Sequence, residues 1–115
     1  MQKIKEISIR NIQSLVYKEY LENGYKENWD IHKQVGDIAE LGLIVSEVSE
    51  AIEIIRGMKD SDYLKLDDVF LDKECADIII RVMNFMSRKG LDLQTAIIEK
   101  NKINLKRGYL HSKNI

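Results

Sequence analysis

The stretch LGLIVSEVSEAIEIIR, residues 41–56, decides the fold class. Its apolar residues recur at helical rather than alternating spacing. Glu47 and Glu50 stand three apart in it, which makes them neighbours on one helix face. At about 100° per residue, Glu47 falls among Leu43, Ile44, Ala51 and Ile54, inside an apolar stripe rather than opposite one. A carboxylate in such company is costly without a partner, and a metal ion is one partner. Glu50 sits at the edge of the stripe, and Glu53 rotates further out, behind the other two.

A second stretch repeats the device. In DKECADIIIRVMNF, residues 72–85, Glu74 and Asp77 are again three apart. Asp77 shares its face with Glu74, Arg81 and Asn84, while Ile79, Ile80, Val82, Met83 and Met86 occupy most of the remaining circumference. That narrow polar strip either meets solvent or lines a cleft facing the helix of residues 41–56. Arg81 is spaced to pair with Glu74 or Asp77 within its own helix, which would compete with metal binding. Cys75 falls on the opposite side from Asp77 and is expected in the core. Four oxygen-donor side chains from two adjacent helices suit a hard divalent cation, Mg²⁺ above all, held together with substrate phosphates.

Outward from these two stretches the chain reads as helical throughout. A first helix is expected over residues 3–22, ended by Asn23 and Gly24. Residues 24–36 read as a loop, the second helix spans 34–56 and closes at Gly57, and 58–71 form a polar, acidic connector. The third helix spans 72–88 with Gly90 after it, and Asp92 is the N-cap of a fourth over 93–106. Residues 107–115 form a tail. No strand candidate, repeat or linker emerges. The expectation is one all-α domain over 1–115, a four-helix bundle with short links. The second and third helices are apolar over more than one narrow stripe, so a homodimer or homotetramer is expected.

Composition sets the outer limits. The chain has 115 residues, enough for one core, and no proline. Eighteen basic against nineteen acidic residues, a net charge of −1, give no electrostatic case for nucleic-acid or membrane-surface binding. The single cysteine excludes an internal disulfide and suits a reducing cytoplasm. The N-terminus lacks a signal-peptide run, and no stretch reaches membrane-spanning length. His32 and His111 lack metal-ligand spacing, and no Ser–His–Asp or Cys–His set is evident. On the fourth helix, Asn101 and Asn104 align with Leu93 and Ile97, so two amides on a core-facing stripe need hydrogen-bond partners. Lys102, Lys106 and Arg107 follow closely, a set of cations suited to a triphosphate.

The ordered set of acids, ExxE in SEVSE (46–50) and then ExxD in ECAD (74–77), resembles the MazG-like all-α nucleoside triphosphate pyrophosphohydrolases. The segment EKNKINLKRGYLH, residues 99–111, resembles that family's Lys/Asn-rich C-terminal motif. GYKENWD, residues 24–30, resembles the loop that precedes the metal helix in several members. One departure is Ser46, where many members carry a further acid beside Glu47. The resemblance implies Mg²⁺-dependent (or Mn²⁺-dependent) cleavage of a nucleoside triphosphate between its α and β phosphates, for nucleotide pool control or house-cleaning. It implies Glu47, Glu50, Glu74 and Asp77 as metal ligands. Lys102 and Arg107 would contact phosphate, Asn101 and Asn104 phosphate or sugar, and Trp29 and Tyr109 would offer stacking surfaces for the base. For Trp29, packing onto the core competes with that role. Two other readings stand beside this one: a phosphoribosyl-ATP pyrophosphatase-type enzyme on the same scaffold, and a non-enzymatic helical bundle that binds a partner protein and whose acids form salt bridges.

Overall fold

A computed structural model describes residues 6–23, 34–57 and 71–108. These form four α-helices and, among the described residues, no strand: α1 (Ile9–Glu22), α2 (Gln34–Arg56), α3 (Leu71–Arg88) and α4 (Leu93–Arg107). α2 packs against α3, and α1 packs against both α3 and α4. No helix is long and apolar enough to cross a membrane.

Local chemistry accounts for the helix ends. α1 starts later than the expected residue 3, because Ser8 is extended (φ −149°, ψ 160°) and its hydroxyl accepts from the Asn11 N–H. That bond, 3.0 Å, satisfies a donor that the first turn would leave open. α2 has the expected bounds, and the Gly57 N–H donates to the Glu53 carbonyl at its end. α3 closes with the Leu91 N–H on the Met86 carbonyl (2.8 Å) and the Gly90 N–H on the Ser87 carbonyl (3.0 Å). This paired closure needs a left-handed residue, and Gly90 supplies it at φ 74°. Asp92 caps α4 as its position predicts, accepting from the Thr95 N–H at 3.1 Å.

Polar clamps set how the helices meet. Gln13 is buried, and it donates to the Ser87 hydroxyl (3.0 Å) and the Leu91 carbonyl (2.9 Å) while accepting from the Leu93 N–H (2.9 Å). One side chain thus ties α1 to the α3–α4 turn. Arg10 grips Asp92 through Nη2 at 2.9 Å and Nε at 3.2 Å, and also reaches the Thr95 hydroxyl. The Arg10 guanidinium and the Thr95 hydroxyl hold Asp92 well below the usual carboxylate range.

α2 and α3 are joined at the start of α2. The Arg88 side chain is almost wholly enclosed and reaches Asp37 and Glu40, each at 2.7 Å. Lys89 adds a second cation on Asp37 at 2.8 Å. The bonds from Lys89 and Arg88 lower the Asp37 pKa. Burial works against the Arg88 charge, but its bonds to Asp37 and Glu40 outweigh that and its pKa rises. Arg88 Nη1 and Asn84 Oδ1 are nonetheless buried with no hydrogen-bond partner. Apolar burial is sparse: among the described residues the buried apolar side chains are Ala51 and Met83.

One packing expectation needs correction. Cys75 is exposed, not core. Ile79 and Ile80 are exposed as well, because the N-terminal half of α3 is covered along the Glu74–Ile78 line and little else.

Candidate metal centre

The seam between α2 and α3 runs along Asp37, Glu40, Ile44, Glu47, Ala51 and Ile54, spaced alternately three and four residues apart. Every one of these is buried or half-buried. Glu47 is therefore where its apolar neighbours predict, with a side chain 13% exposed. Glu50, one turn on, is exposed at the edge of the seam. Glu53 lies outside it and pairs with Arg56 at 3.0 Å.

Across the seam, Glu74 meets the α2 acids. Glu47, Glu50 and Glu74 each offer a carboxylate oxygen within 4.8 Å of the others. Three like charges at that spacing oppose one another. The strain shows at Glu50, whose pKa is raised chiefly by its hydrogen bond and charge contact with Glu47, then by burial, Glu74 and Asp77. Glu74 Oε2 is enclosed and lacks a hydrogen-bond partner. Asp77 is exposed, outside the close trio but near enough for its charge to act on Glu50.

Arg81 departs from expectation. It does not pair within α3 but crosses to α2, where its Nε donates to Glu47 Oε1 at 2.9 Å. The reason is the packing of the two helices, which brings Glu47 within reach of a guanidinium otherwise facing solvent. One carboxylate of the trio thus already carries a counter-charge.

The trio meets the requirements of a hard divalent cation in three respects. All its donors are carboxylate oxygens, their spacing is compact, and one enclosed oxygen has no partner. Such a cation would be held by Glu47, Glu50 and Glu74, with Asp77 alongside.

The fourth-helix candidates stand apart from this seam, on a helix that packs against α1. Asn101, Lys102 and Arg107 are exposed, and Asn104 is half-buried with an enclosed Oδ1 that has no partner. Trp29 and Tyr109 lie outside the described residues, as do His32, His111 and the 24–30 segment. Sequence reading missed Arg81 as a partner of Glu47 and the Arg88 clamp on Asp37 and Glu40. A signal for the clamp existed, since Asp37 and Glu40 continue the three–four spacing that leads to Glu47. Compared with protein-family models, with curated proteins and with solved structures, the chain matches none.

Proposed function

We propose that the chain is a Mg²⁺-dependent nucleoside triphosphate pyrophosphohydrolase. The observation that carries this reading is the trio Glu47, Glu50 and Glu74, drawn from two helices to within 4.8 Å. The order of acids along the chain and the KNxxNxxR run at 100–107 support the same reading. The reaction is attack of a water oxygen on the α-phosphorus, breaking its bond to the oxygen that bridges to the β-phosphorus. The products are the monophosphate and pyrophosphate. A divalent ion, when bound, supplies charge neutralisation on the phosphate oxygens and lowers the pKa of water.

The chain's own residues do the rest. Glu47, Glu50 and Glu74 would hold the ion, with Asp77 alongside. Glu50, at the exposed edge of the trio, is the group best placed to take the proton that the attacking water gives up. Lys102 and Arg107 supply exposed cations for the phosphates, Arg107 with the planar fork suited to two parallel bonds. Asn101 and Asn104 contact phosphate or sugar.

The test is pyrophosphate release from a panel of ribo- and deoxyribonucleoside triphosphates, with Mg²⁺ and with EDTA. Release that needs Mg²⁺ and disappears in Glu74→Gln and Glu47→Gln supports the reading. Unchanged release in both variants, with helical content intact, removes the metal site. If no triphosphate is turned over and Mg²⁺ does not shift the melting curve, the non-enzymatic bundle takes its place.

A further inference from the structure

Three arginines reach across to another element, and they are committed to different degrees. Arg10 grips Asp92 through Nε and Nη2 and adds the Thr95 hydroxyl. Arg88 is enclosed and divides itself between Asp37 and Glu40. Arg81 holds Glu47 through Nε alone, at 2.9 Å. Among the described residues nothing accepts from its two terminal amino groups, and its side chain is 43% exposed beside an acid that is 13% exposed.

The place of Arg81 matters as much as its freedom. Glu74, Asp77 and Arg81 follow one another on α3 at intervals of three and four, so they share one face. Asp77 and Arg81 are one turn apart, about 6 Å along the helix. The guanidinium therefore lies at the rim of the trio Glu47, Glu50 and Glu74. Three carboxylates around one dication leave net negative charge, which opposes a phosphate, so a phosphate bound there needs a further cation close by. The cations of α4 are carried by a helix that packs against α1. Arg81 is the cation that the fold sets beside the acids, already paired to one of them.

We propose that Arg81 is a phosphate-binding residue of this centre, parked on Glu47 until that carboxylate turns to a divalent ion, and then free to engage a phosphate held by the same ion. Glu47 shared with the ion holds the guanidinium less strongly, and the two positive charges repel. The nearest replacement for the lost carboxylate is a phosphate oxygen. The planar guanidinium can meet phosphate with two parallel hydrogen bonds where it meets Glu47 with one. Without an ion, the same side chain offsets part of the charge of the trio. The inference rests on the proposed metal centre and on phosphate as its ligand, and it does not require that the phosphate be cleaved.

The probe is inorganic triphosphate, which carries no base. Its binding to the full chain is measured by isothermal titration calorimetry at saturating free Mg²⁺, for the wild type, Arg81→Gln and Arg81→Lys, with circular dichroism as the check on folding. Arg81→Gln should weaken triphosphate at least about tenfold. Mn²⁺ alone, followed by electron paramagnetic resonance, should bind that variant no more weakly than the wild type. Arg81→Lys, which keeps the charge and loses the fork, should fall between in triphosphate affinity. In nitrogen-15 spectra the Arg81 Nε signal, assigned by its absence from Arg81→Gln, should shift on Mg²⁺ and again on triphosphate. A merely structural role would weaken both ligands together, and that result overturns the proposal. So does a wild type that binds no triphosphate, or an Nε signal that Mg²⁺ leaves in place. Nucleotide cleavage combined with unchanged triphosphate affinity in Arg81→Gln sinks the proposal and leaves the enzymatic reading standing. Binding as expected without any turnover does the reverse.

Discussion

Glu47 has one partner and is placed for a second that would compete with it. Its carboxylate accepts from Arg81 at 2.9 Å, and the same group belongs to the trio that suits a divalent cation. A bound dication has to displace or share with a guanidinium that already offsets part of the negative charge. Arg81→Gln removes that competitor, so Mn²⁺ titration followed by electron paramagnetic resonance should show binding about tenfold tighter than in the wild type, the order expected for deleting one like charge a few ångströms from the ion. Equal or weaker binding would mean that Arg81 does not oppose the ion. Glu50 gives a separate readout. Its pKa stands above the ordinary 4.5, mainly because of Glu47, so the folded chain holds that proton more tightly than the unfolded chain. The stabilisation is complete below the ordinary value and is lost as the pH rises through the window up to the raised one. Without metal, Glu50→Gln should therefore melt higher than the wild type near pH 7 and lose this advantage near about pH 4. Thermal melts at both pH values in EDTA check it.

The helices themselves were largely legible, and the exceptions have physical causes. α2 matches its expected bounds because its apolar period runs unbroken to Gly57, and α4 begins where Asp92 offers a cap. α1 was expected to run through residues 6–8, which lie ahead of its observed start at Ile9, since periodicity alone does not register the Ser8 cap that turns the chain extended. Glu47 was legible because its neighbours on the wheel are apolar. Arg81 was not, because spacing within a helix describes that helix alone, and the Glu47 partner comes from the register between two helices. The Arg88 clamp was hidden for the same reason. It also separates strong from weak ion pairs. Arg88 is enclosed between Asp37 and Glu40, so Arg88→Met should cost about 3 kcal/mol in urea unfolding, because it takes the cation from Glu40 at a half-buried seam and leaves Asp37 with Lys89 alone. Arg56 and Glu53 face solvent, and Arg56→Ala should cost about 0.5 kcal/mol or less. Similar losses for the two would show that the clamp is no tighter than a surface pair.

At the scale of the molecule, the four helices leave much apolar surface uncovered, with few apolar side chains buried among the described residues. If a second chain covers that surface, folding and association are linked, and the melting midpoint should rise with protein concentration. A midpoint unchanged over a hundredfold dilution would show that one chain is stable by itself. Cys75 carries one more consequence. It is the chain's single cysteine, it is exposed, and it directly follows Glu74. The unmodified protein thus offers one attachment point for a thiol-reactive fluorophore, placed beside the acidic trio. A dye there would signal occupancy of the site by divalent ions through its emission, with no engineered residue required.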